Sequence, residues 1–253
     1  ESRLSALETR MAHYLSASAV SAKNLAEEKD AIKTLIGDIS HQTKTPIANL
    51  LLYAQLLEEQ DLPPESREYA SALEHQAEKL RFLIDALVKT SRLESGVLAM
   101  TPKRHGIQQL LDAASAQAAP GAEAKAITLT VEPTDLTARF DPKWTAEALY
   151  NLVDNAVKYT PAGGAVTLRA VGYELFCRVD VTDTGPGIPE SEQARIFQRF
   201  YRSPSASEAE GVGIGLYLAR QIAAGQGGYL KVSSRPGEGS TFSLFLPRAE
   251  ERT

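Results

Sequence analysis

The first forty residues repeat their apolar side chains every seven positions, and this repeat limits the possible folds more than any other feature of the chain. Such a repeat predicts a long helix that packs along a seam, as in a coiled coil. The small residues from Ser16 to Ala22 weaken the seam and mark a place where the helix could be interrupted. The two sets of seam positions are Leu4, Met11, Ser18, Leu25, Ile32 and Ile39, and Leu7, Tyr14, Ser21, Glu28 and Leu35.

A histidine and a hydroxyl group lie four residues apart at the end of this repeat. In a helix His41 and Thr45 share one face, and the repeat places His41 beside the seam, where it is accessible. Pro46 lacks a backbone N–H and predicts a kink just beyond the pair. The residues themselves leave two interpretations open, a reacting histidine or an ordinary surface histidine next to a kink.

A second helical pattern follows a short break. The first helix is predicted to end near Glu59, and Asp61 to Pro64 supply the turn, with proline suited to the start of the next helix. Two long helices joined by a short turn form an antiparallel hairpin. Its apolar stripe predicts pairing into a dimeric four-helix bundle; the alternative is a monomeric hairpin covered by the rest of the chain.

The pattern changes after Ser95 and Gly96, and Thr101 to Lys103 are interpreted as a linker. The remainder mixes helices with mostly antiparallel strands, which predicts an α+β layer domain. Helices are expected near 107–118, over 142–159 and from Gly215; strands are expected near 127–131, 138–140, 165–171, 175–182, 229–233 and 241–246.

The helix predicted over 142–159 separates into an apolar and a polar face. Asn151, Asn155 and Lys158 follow one another at i, i+4 and i+7 on the polar face, with Tyr159 at its edge. Amide oxygens suit a hard cation and an ammonium group suits phosphate, so the face fits a magnesium–phosphate group. An ordinary amphipathic surface helix has the same pattern.

Two glycine-rich stretches supply candidate ligand loops. The first, Asp183–Pro189, follows a strand, and its glycines allow close approach to a ligand while a carboxylate at a strand end can accept a hydrogen bond from an exocyclic amine. The second leads into a helix whose N-terminal N–H groups favour phosphate oxygens. The candidate residues in these loops are Gly185, Gly187, Ile188, Gly211, Gly213, Gly215 and Leu216.

Aromatic and basic residues lie between the two loops. Phe197 and Phe200 are expected to anchor a loop, and Arg199 or Arg202 to reach phosphate. The small polar stretch 203–210 is typical of a mobile lid.

Charge and cysteine content exclude several classes of protein. The net charge of −5 argues against a duplex nucleic-acid binder. Cys177 is the only cysteine, which excludes internal disulfides and cysteine-based zinc sites. No run of about 18 apolar residues predicts a transmembrane helix.

Together these stretches resemble the sensor histidine kinases of two-component signalling, over nearly the whole chain. Residues 41–46 are similar to the phosphoacceptor box, and five further segments occur in the family's order. These are the N box at 151–160, the first glycine box at 183–189, the phenylalanine box at 196–202, the second glycine box at 211–216 and the third at 237–242.

The resemblance implies an ATP site of the Bergerat (GHKL) type in an α/β sandwich domain. It implies that Asn155 is the Mg²⁺ ligand. It also implies that Asp183 recognises the adenine base, with Thr241 nearby, and that Tyr159 packs against the base. It also implies a response-regulator receiver domain as partner. Thr45 matches the threonine thought to position water for dephosphorylating that partner.

Two positions decide between reactions. The hydrolytic relatives of this fold, the gyrase and MutL-type ATPases, carry a glutamate where this chain has Asn151, and an asparagine cannot accept a proton. Transfer to a protein nucleophile is therefore favoured over hydrolysis. Most family members carry an acidic residue where this chain has Gln42, which can orient a histidine but cannot take its proton. Asp38, near the same face, could substitute in part; alternatively the proton could leave to solvent or phosphate.

The sequence thus predicts a signalling helix over 1–30, a dimerisation and phosphotransfer domain over 31–98 and an ATP-binding domain over 103–249. The leading hypothesis is ATP-dependent phosphorylation of His41 followed by transfer to a regulator aspartate, in the cytoplasmic portion of a membrane-anchored bacterial sensor whose input region precedes Glu1. The alternatives are a phosphatase-dominated regulator and a nucleotide-sensing scaffold without catalysis.

Overall fold

The computed structural model describes residues 3–94, 100–203 and 212–248. The chain divides into two compact units, with the boundary between residues 98 and 99. The helices are α1 (Arg3–Glu58), α2 (Pro64–Glu94), α3 (Ile107–Ala124), α4 (Pro142–Tyr159), α5 (Glu190–Gln193) and α6 (Gly215–Gly225), with a 3-10 turn at Arg195–Phe197. The strands are β1 (Lys103–Gly106), β2 (Thr128–Val131), β3 (Thr137–Phe140), β4 (Ala165–Gly172), β5 (Phe176–Asp183), β6 (Tyr229–Arg235) and β7 (Gly239–Pro247).

The first unit is the predicted helical hairpin. Helix α1 is continuous through the small-residue stretch from Ser16 to Ala22, so the helix is not interrupted where the seam is weak, and it also contains Pro46. The two helices bury a small core around Ile47, Leu51 and Ala77. An ion pair of 3.0 Å joins Lys44 Nζ to Asp85 Oδ1 across the hairpin.

The second unit is an α/β layer domain with a five-stranded sheet in the order β2-β4-β5-β7-β6. All neighbours are antiparallel except β2 and β4, which are parallel. Alternate residues of the central strands, such as Val179 and Leu244, are fully buried, because every second side chain of a strand points to the same face. That face packs against the helices of the unit, of which α4 contacts both α3 and α6.

The fold class is confirmed, with two local corrections. Lys103, interpreted as part of a linker, begins strand β1, which pairs with β3 in a separate two-stranded sheet. Helix α5 and the 3-10 turn occupy a stretch for which no element was expected. Among the helices that the structure describes, none is long and apolar enough to cross a membrane.

Candidate functional site

The predicted acceptor segment lies within α1. Asp38, Gln42 and Thr45 are exposed, whereas Ser40 and Ile47 are buried in the hairpin. The backbone at position 41 is helical, one turn before Thr45; the side chain of His41 lies outside the described part of the chain. The segment therefore presents exposed polar side chains on the face of α1 that the buried residues leave open.

Helix α4 has a strong start and two distinct faces. The Asp141 side chain caps its N-terminus by accepting hydrogen bonds from the N–H groups of Lys143 and Trp144, and Pro142 supplies a preorganised first residue. One face, which includes Leu149 and Leu152, is fully buried. The opposite face, which carries Asn151, Asn155 and Lys158, is therefore held rigidly in place.

The amides of the polar face differ in their partners. Asn151 donates its Nδ2–H to the carbonyl of Glu147, at 2.9 Å. The Asn155 amide forms no hydrogen bond within the parts of the chain that the structure describes, and it is partly exposed. An available amide oxygen fits Mg²⁺, which commonly takes one protein ligand together with phosphate and water oxygens.

The N-terminus of α6 lies directly on this polar face. A Cβ on Gly215 would lie 2.8 Å from Asn151 Oδ1, so any larger residue would push the Asn151 side chain aside. Gly213 adopts φ +74°, and its carbonyl accepts a 2.9 Å hydrogen bond from the Phe200 N–H. Leu216 is in the first turn of α6, whereas Gly211 lies outside the described residues. The N-terminal turn of α6 thus lies beside the Asn151 amide of α4.

Asp183 ends strand β5 and is buried. Its Oδ1 accepts hydrogen bonds from the N–H groups of Gly185 at 2.8 Å and Ser240 at 3.2 Å. Its Oδ2 forms no hydrogen bond with any described residue. Burial raises the pKa of Asp183 above its ordinary value of 3.8, against the lowering effect of the two backbone N–H groups. One oxygen is thus fixed, and the other is left to accept a hydrogen bond.

The loop after Asp183 is held against the turn between β6 and β7. A Cβ on Gly185 would lie 2.8 Å from Asp183 Oδ1, and one on Gly187 would lie 2.0 Å from the carbonyl oxygen of Arg235. The Ile188 N–H donates to Ser234 Oγ at 2.8 Å. The glycines therefore serve close backbone packing that shapes the loop.

Thr241 was expected from the sequence to lie near Asp183, but the two side chains do not lie side by side. Thr241 is paired with Thr182 on the neighbouring strand, and their hydroxyl oxygens are 3.1 Å apart. The residue paired with Asp183 is Ser240. Because side chains alternate along a strand, Thr241 points to the other face of the sheet, and Ser240 takes the expected place.

Tyr159 and Arg202 lie near each other at the end of α4. Burial raises the pKa of the Tyr159 phenol, and the positive charge of Arg202 acts in the opposite direction. Lys158 Nζ lies 5.7 Å from the centre of the Tyr159 ring. The structure thus brings two cations and an aromatic ring to the polar face of α4.

Of the two phenylalanines that were expected to anchor the loop, only one is buried. Phe197 is buried, but Phe200 is 55% exposed and adopts φ +61°. Arg199 stacks on the ring of Tyr217 and donates to its hydroxyl at 3.1 Å. The expected lid, 203–210, lies outside the described residues except for Ser203.

Sequence comparisons match both units to known families. The model described as "His Kinase A (phospho-acceptor) domain" matches residues 31–96. The model described as "Histidine kinase-, DNA gyrase B-, and HSP90-like ATPase" matches residues 140–250. The chain belongs to the sensor histidine kinases of two-component systems.

Individual histidine kinases and sensor proteins are similar over most of the chain. The sensor protein DivL of Caulobacter vibrioides is 34% identical over 90% of this chain, and the sensor protein GacS of Pseudomonas syringae pv. syringae is 31% identical over 91%. This chain spans only 29% and 27% of their lengths. The crystal structure of full-length ShkA in complex with AMPPNP is 29% identical, with a TM-score of 0.72, over 87% of this chain and 47% of that one.

Sequence reasoning missed three residues that fix Asp183 and the loop that follows it. Ser240 adjoins Asp183, Ser234 bonds to Ile188 and Ser240, and Gln193 donates to the carbonyls of Ile188 and Ser234. The position of Ser240 directly after Gly237-Glu238-Gly239 was a usable signal. Ser234 and Gln193 had none, because their contacts depend on strand register.

Replacing Asp183 by asparagine should stabilise the folded protein at neutral pH. Because the folded-state pKa of Asp183 is raised, ionisation opposes folding, and its cost grows as pH rises through that pKa. We expect Asp183→Asn to raise the midpoint of thermal unfolding by about 2–4 °C at pH 7.5. The gain should disappear near pH 3.8 and below, as measured by calorimetry. Asp180→Asn, which breaks an ion pair with Arg178, is the control and should destabilise. An equal gain at both pH values would contradict the assignment.

Proposed function

We propose that this chain binds ATP with Mg²⁺, transfers the γ-phosphoryl group to His41, and passes it to an aspartate of a receiver domain. The observation that supports this most strongly is the contact of Gly215 with Asn151. It places the first turn of α6 beside Asn151, on the same face of α4 as Asn155 and Lys158, and a helix N-terminus next to amide and ammonium groups suits a polyphosphate.

Each residue then has a defined task. Asp183 Oδ2 accepts a hydrogen bond from the exocyclic amine of adenine, and Lys158 neutralises phosphate charge. Asn155 would hold Mg²⁺, which when bound neutralises the charge that develops on the phosphates. Asn151 cannot activate water, because its amide is already fixed by Glu147 and has no proton-accepting group.

The chemical stability of the phosphorylated product provides a test of this function. A phosphohistidine is labile in acid and stable in alkali, because it is a phosphoramidate. Incubation of the whole chain with γ-labelled ATP and Mg²⁺ should therefore give protein-bound label that acid removes and alkali does not. Label that survives acid would indicate a serine, threonine or tyrosine acceptor and would overturn the proposal.

Gln42 should limit the rate of this reaction. The exposed side chain of Gln42, the residue after His41, can orient an imidazole but cannot accept its proton. The carboxylate on this stretch of α1 that could accept the proton belongs to Asp38, three residues before His41. We expect Gln42→Glu to raise the initial labelling rate at saturating ATP by about tenfold to a hundredfold. Gln42→Leu is the control for loss of the amide. Equal rates in Gln42→Glu and the unmodified chain would show that no base is needed there.

A second activity is supported by Thr45. Its exposed hydroxyl, one turn beyond position 41, forms no hydrogen bond within the described chain, so it can position a water molecule against a phospho-aspartate. We expect Thr45→Ala to lower dephosphorylation of a phosphorylated receiver domain by about tenfold or more, with labelling of His41 retained. Thr43, whose hydroxyl is bonded to the carbonyl of Ile39, provides the control Thr43→Ala. An unchanged rate of dephosphorylation in Thr45→Ala would contradict the proposed phosphatase role of Thr45.

The exposed apolar side chains of the hairpin support a homodimer. They follow the seven-residue spacing of a helical seam on α2, with related positions on α1. A lone hairpin leaves these side chains in water, whereas a four-helix bundle buries them. Sedimentation should give twice the chain mass of 27.4 kDa. The α2 positions are Tyr69, Leu73, Leu80 and Leu87, and those on α1 are Ile39, Leu50, Tyr53 and Leu57.

Input is proposed to reach the hairpin along α1. The curated relatives are longer than this chain, and the 38 helical residues of α1 before the acceptor stretch, 3–40, offer a rigid path from a preceding sensor region, membrane-anchored or not.

A further inference from the structure

The hydroxyl group of Ser234 makes three polar contacts. It accepts the Ile188 N–H at 2.8 Å, donates to the carbonyl of Gly239 at 2.8 Å, and lies 2.9 Å from Ser240 Oγ. These contacts join the loop after Asp183, the end of β6 and the start of β7. Ser234 is therefore positioned to act on the base site without being part of it.

Counting protons fixes the direction of the third contact. A serine hydroxyl has one proton and two lone pairs. The carbonyl of Gly239 can only accept and the Ile188 N–H can only donate, so the single proton of Ser234 is used on Gly239. All three bonds form together only if Ser240 donates its own proton to Ser234.

The Ser240 hydroxyl is then left with lone pairs alone for any further partner. Ser240 is paired with Asp183 across the strands, and its N–H holds Asp183 Oδ1. Asp183 Oδ2, the other oxygen, is also an acceptor without a hydrogen bond to the described chain. The paired residues Asp183 and Ser240 thus each offer an acceptor, and neither the carboxylate nor the committed hydroxyl has a proton left to donate.

We propose that Ser234 is a specificity-determining residue. Its oxygen accepts the hydrogen bond of the Ser240 hydroxyl, so that Ser240 and Asp183 can only accept hydrogen bonds from a base, which selects a 6-amino purine over a 6-oxo purine. A 6-amino group supplies two N–H donors to these acceptors, whereas a 6-oxo group would face them with lone pairs of its own. The inference rests on the proposed nucleotide function and extends it to the choice of base.

Removing the Ser234 hydroxyl should change selectivity and not only affinity. In Ser234→Ala the Ser240 hydroxyl loses its acceptor, so its O–H can rotate and donate to a 6-oxo group. A purely structural role would weaken adenine and hypoxanthine nucleotides alike. The ratio of the two affinities therefore separates a positioning role from a structural one.

The experiment measures binding of ADP and inosine diphosphate to the full chain by calorimetry. Ser234→Ala is expected to lower the ratio of ADP affinity to inosine diphosphate affinity by about tenfold, the size expected for one hydrogen bond. Ser234→Thr, which keeps the hydroxyl, should retain the ratio. Ser233→Ala is the matched control, because Ser233 is the adjacent serine on the opposite face of β6 and is exposed.

The outcomes distinguish this inference from the function on which it rests. If the unmodified chain binds neither nucleotide and is not labelled by ATP, the proposed function fails. If it binds ADP and is labelled, but Ser234→Ala keeps the original affinity ratio, only the inference fails. If Ser234→Ala does not fold, the unmodified chain still tests the acceptor-only site, since equal binding of ADP and inosine diphosphate would overturn it.

Discussion

Replacing His41 by alanine should reduce acid-labile labelling by ATP to background. The imidazole is the proposed nucleophile, and alanine has no group that can form a bond to phosphorus. Binding of ADP should be unchanged, because the proposed nucleotide-binding residues Asn155, Lys158 and Asp183 belong to the other unit of the chain. Measuring both quantities on the same preparation separates loss of the acceptor from loss of the donor.

His75→Ala is the matched control for His41→Ala. His75 is an exposed histidine of α2, in the same hairpin, and its replacement should leave labelling intact. If the acid-labile label persists in His41→Ala and disappears in His75→Ala, the phosphoryl acceptor is His75 and not His41. Loss of label in both variants with normal ADP binding would point to damage of the hairpin.

Gly239→Ala should lower ADP affinity by about tenfold to 100-fold, the loss expected when a hydrogen bond to a charged group is broken. A Cβ at this position would lie 2.0 Å from the carbonyl oxygen of Asp183, so β5 and β7 must separate beside the residue proposed to bind adenine. The φ of +92° adds a cost of about 1–2 kcal/mol for any residue with a side chain. Calorimetric titration with ADP measures the loss.

Gly237→Ala separates these two costs. Gly237 is in the same turn with φ +83°, but a Cβ there meets nothing within 4 Å. It should show the backbone cost as lower stability to denaturant while ADP affinity stays near that of the unmodified chain. Equal loss of ADP affinity in both variants would mean that turn strain, and not contact with Asp183, controls the site.

Patterns within one segment were predictable from the sequence. Helix α4 was placed at its observed ends, Pro142 and Tyr159, because its two faces separate cleanly. The hairpin of α1 and α2 followed from the apolar spacing and the prolines between them. Such features depend on residues a few positions apart, which the sequence displays directly.

Features that depend on distant partners were not predictable. Strand β1 is four residues long, and its pairing with β3 more than thirty residues later gives it no periodic pattern. The choice between Ser240 and Thr241 depended on which face each side chain takes, and that is fixed by pairing with Asp183 and Thr182. A shift of one residue reverses every face of a strand, so motif spacing alone could not decide it.

The order of synthesis gives the pairing of Asp183 with Ser240 a further meaning. The carboxylate emerges from the ribosome 57 residues before the serine whose N–H fixes it. Until β7 is made, Asp183 Oδ1 lacks one of its two backbone donors and the loop that follows lacks the turn that shapes it. A growing chain therefore already carries the whole hairpin of α1 and α2 while Asp183 still waits for the last strand to fix it.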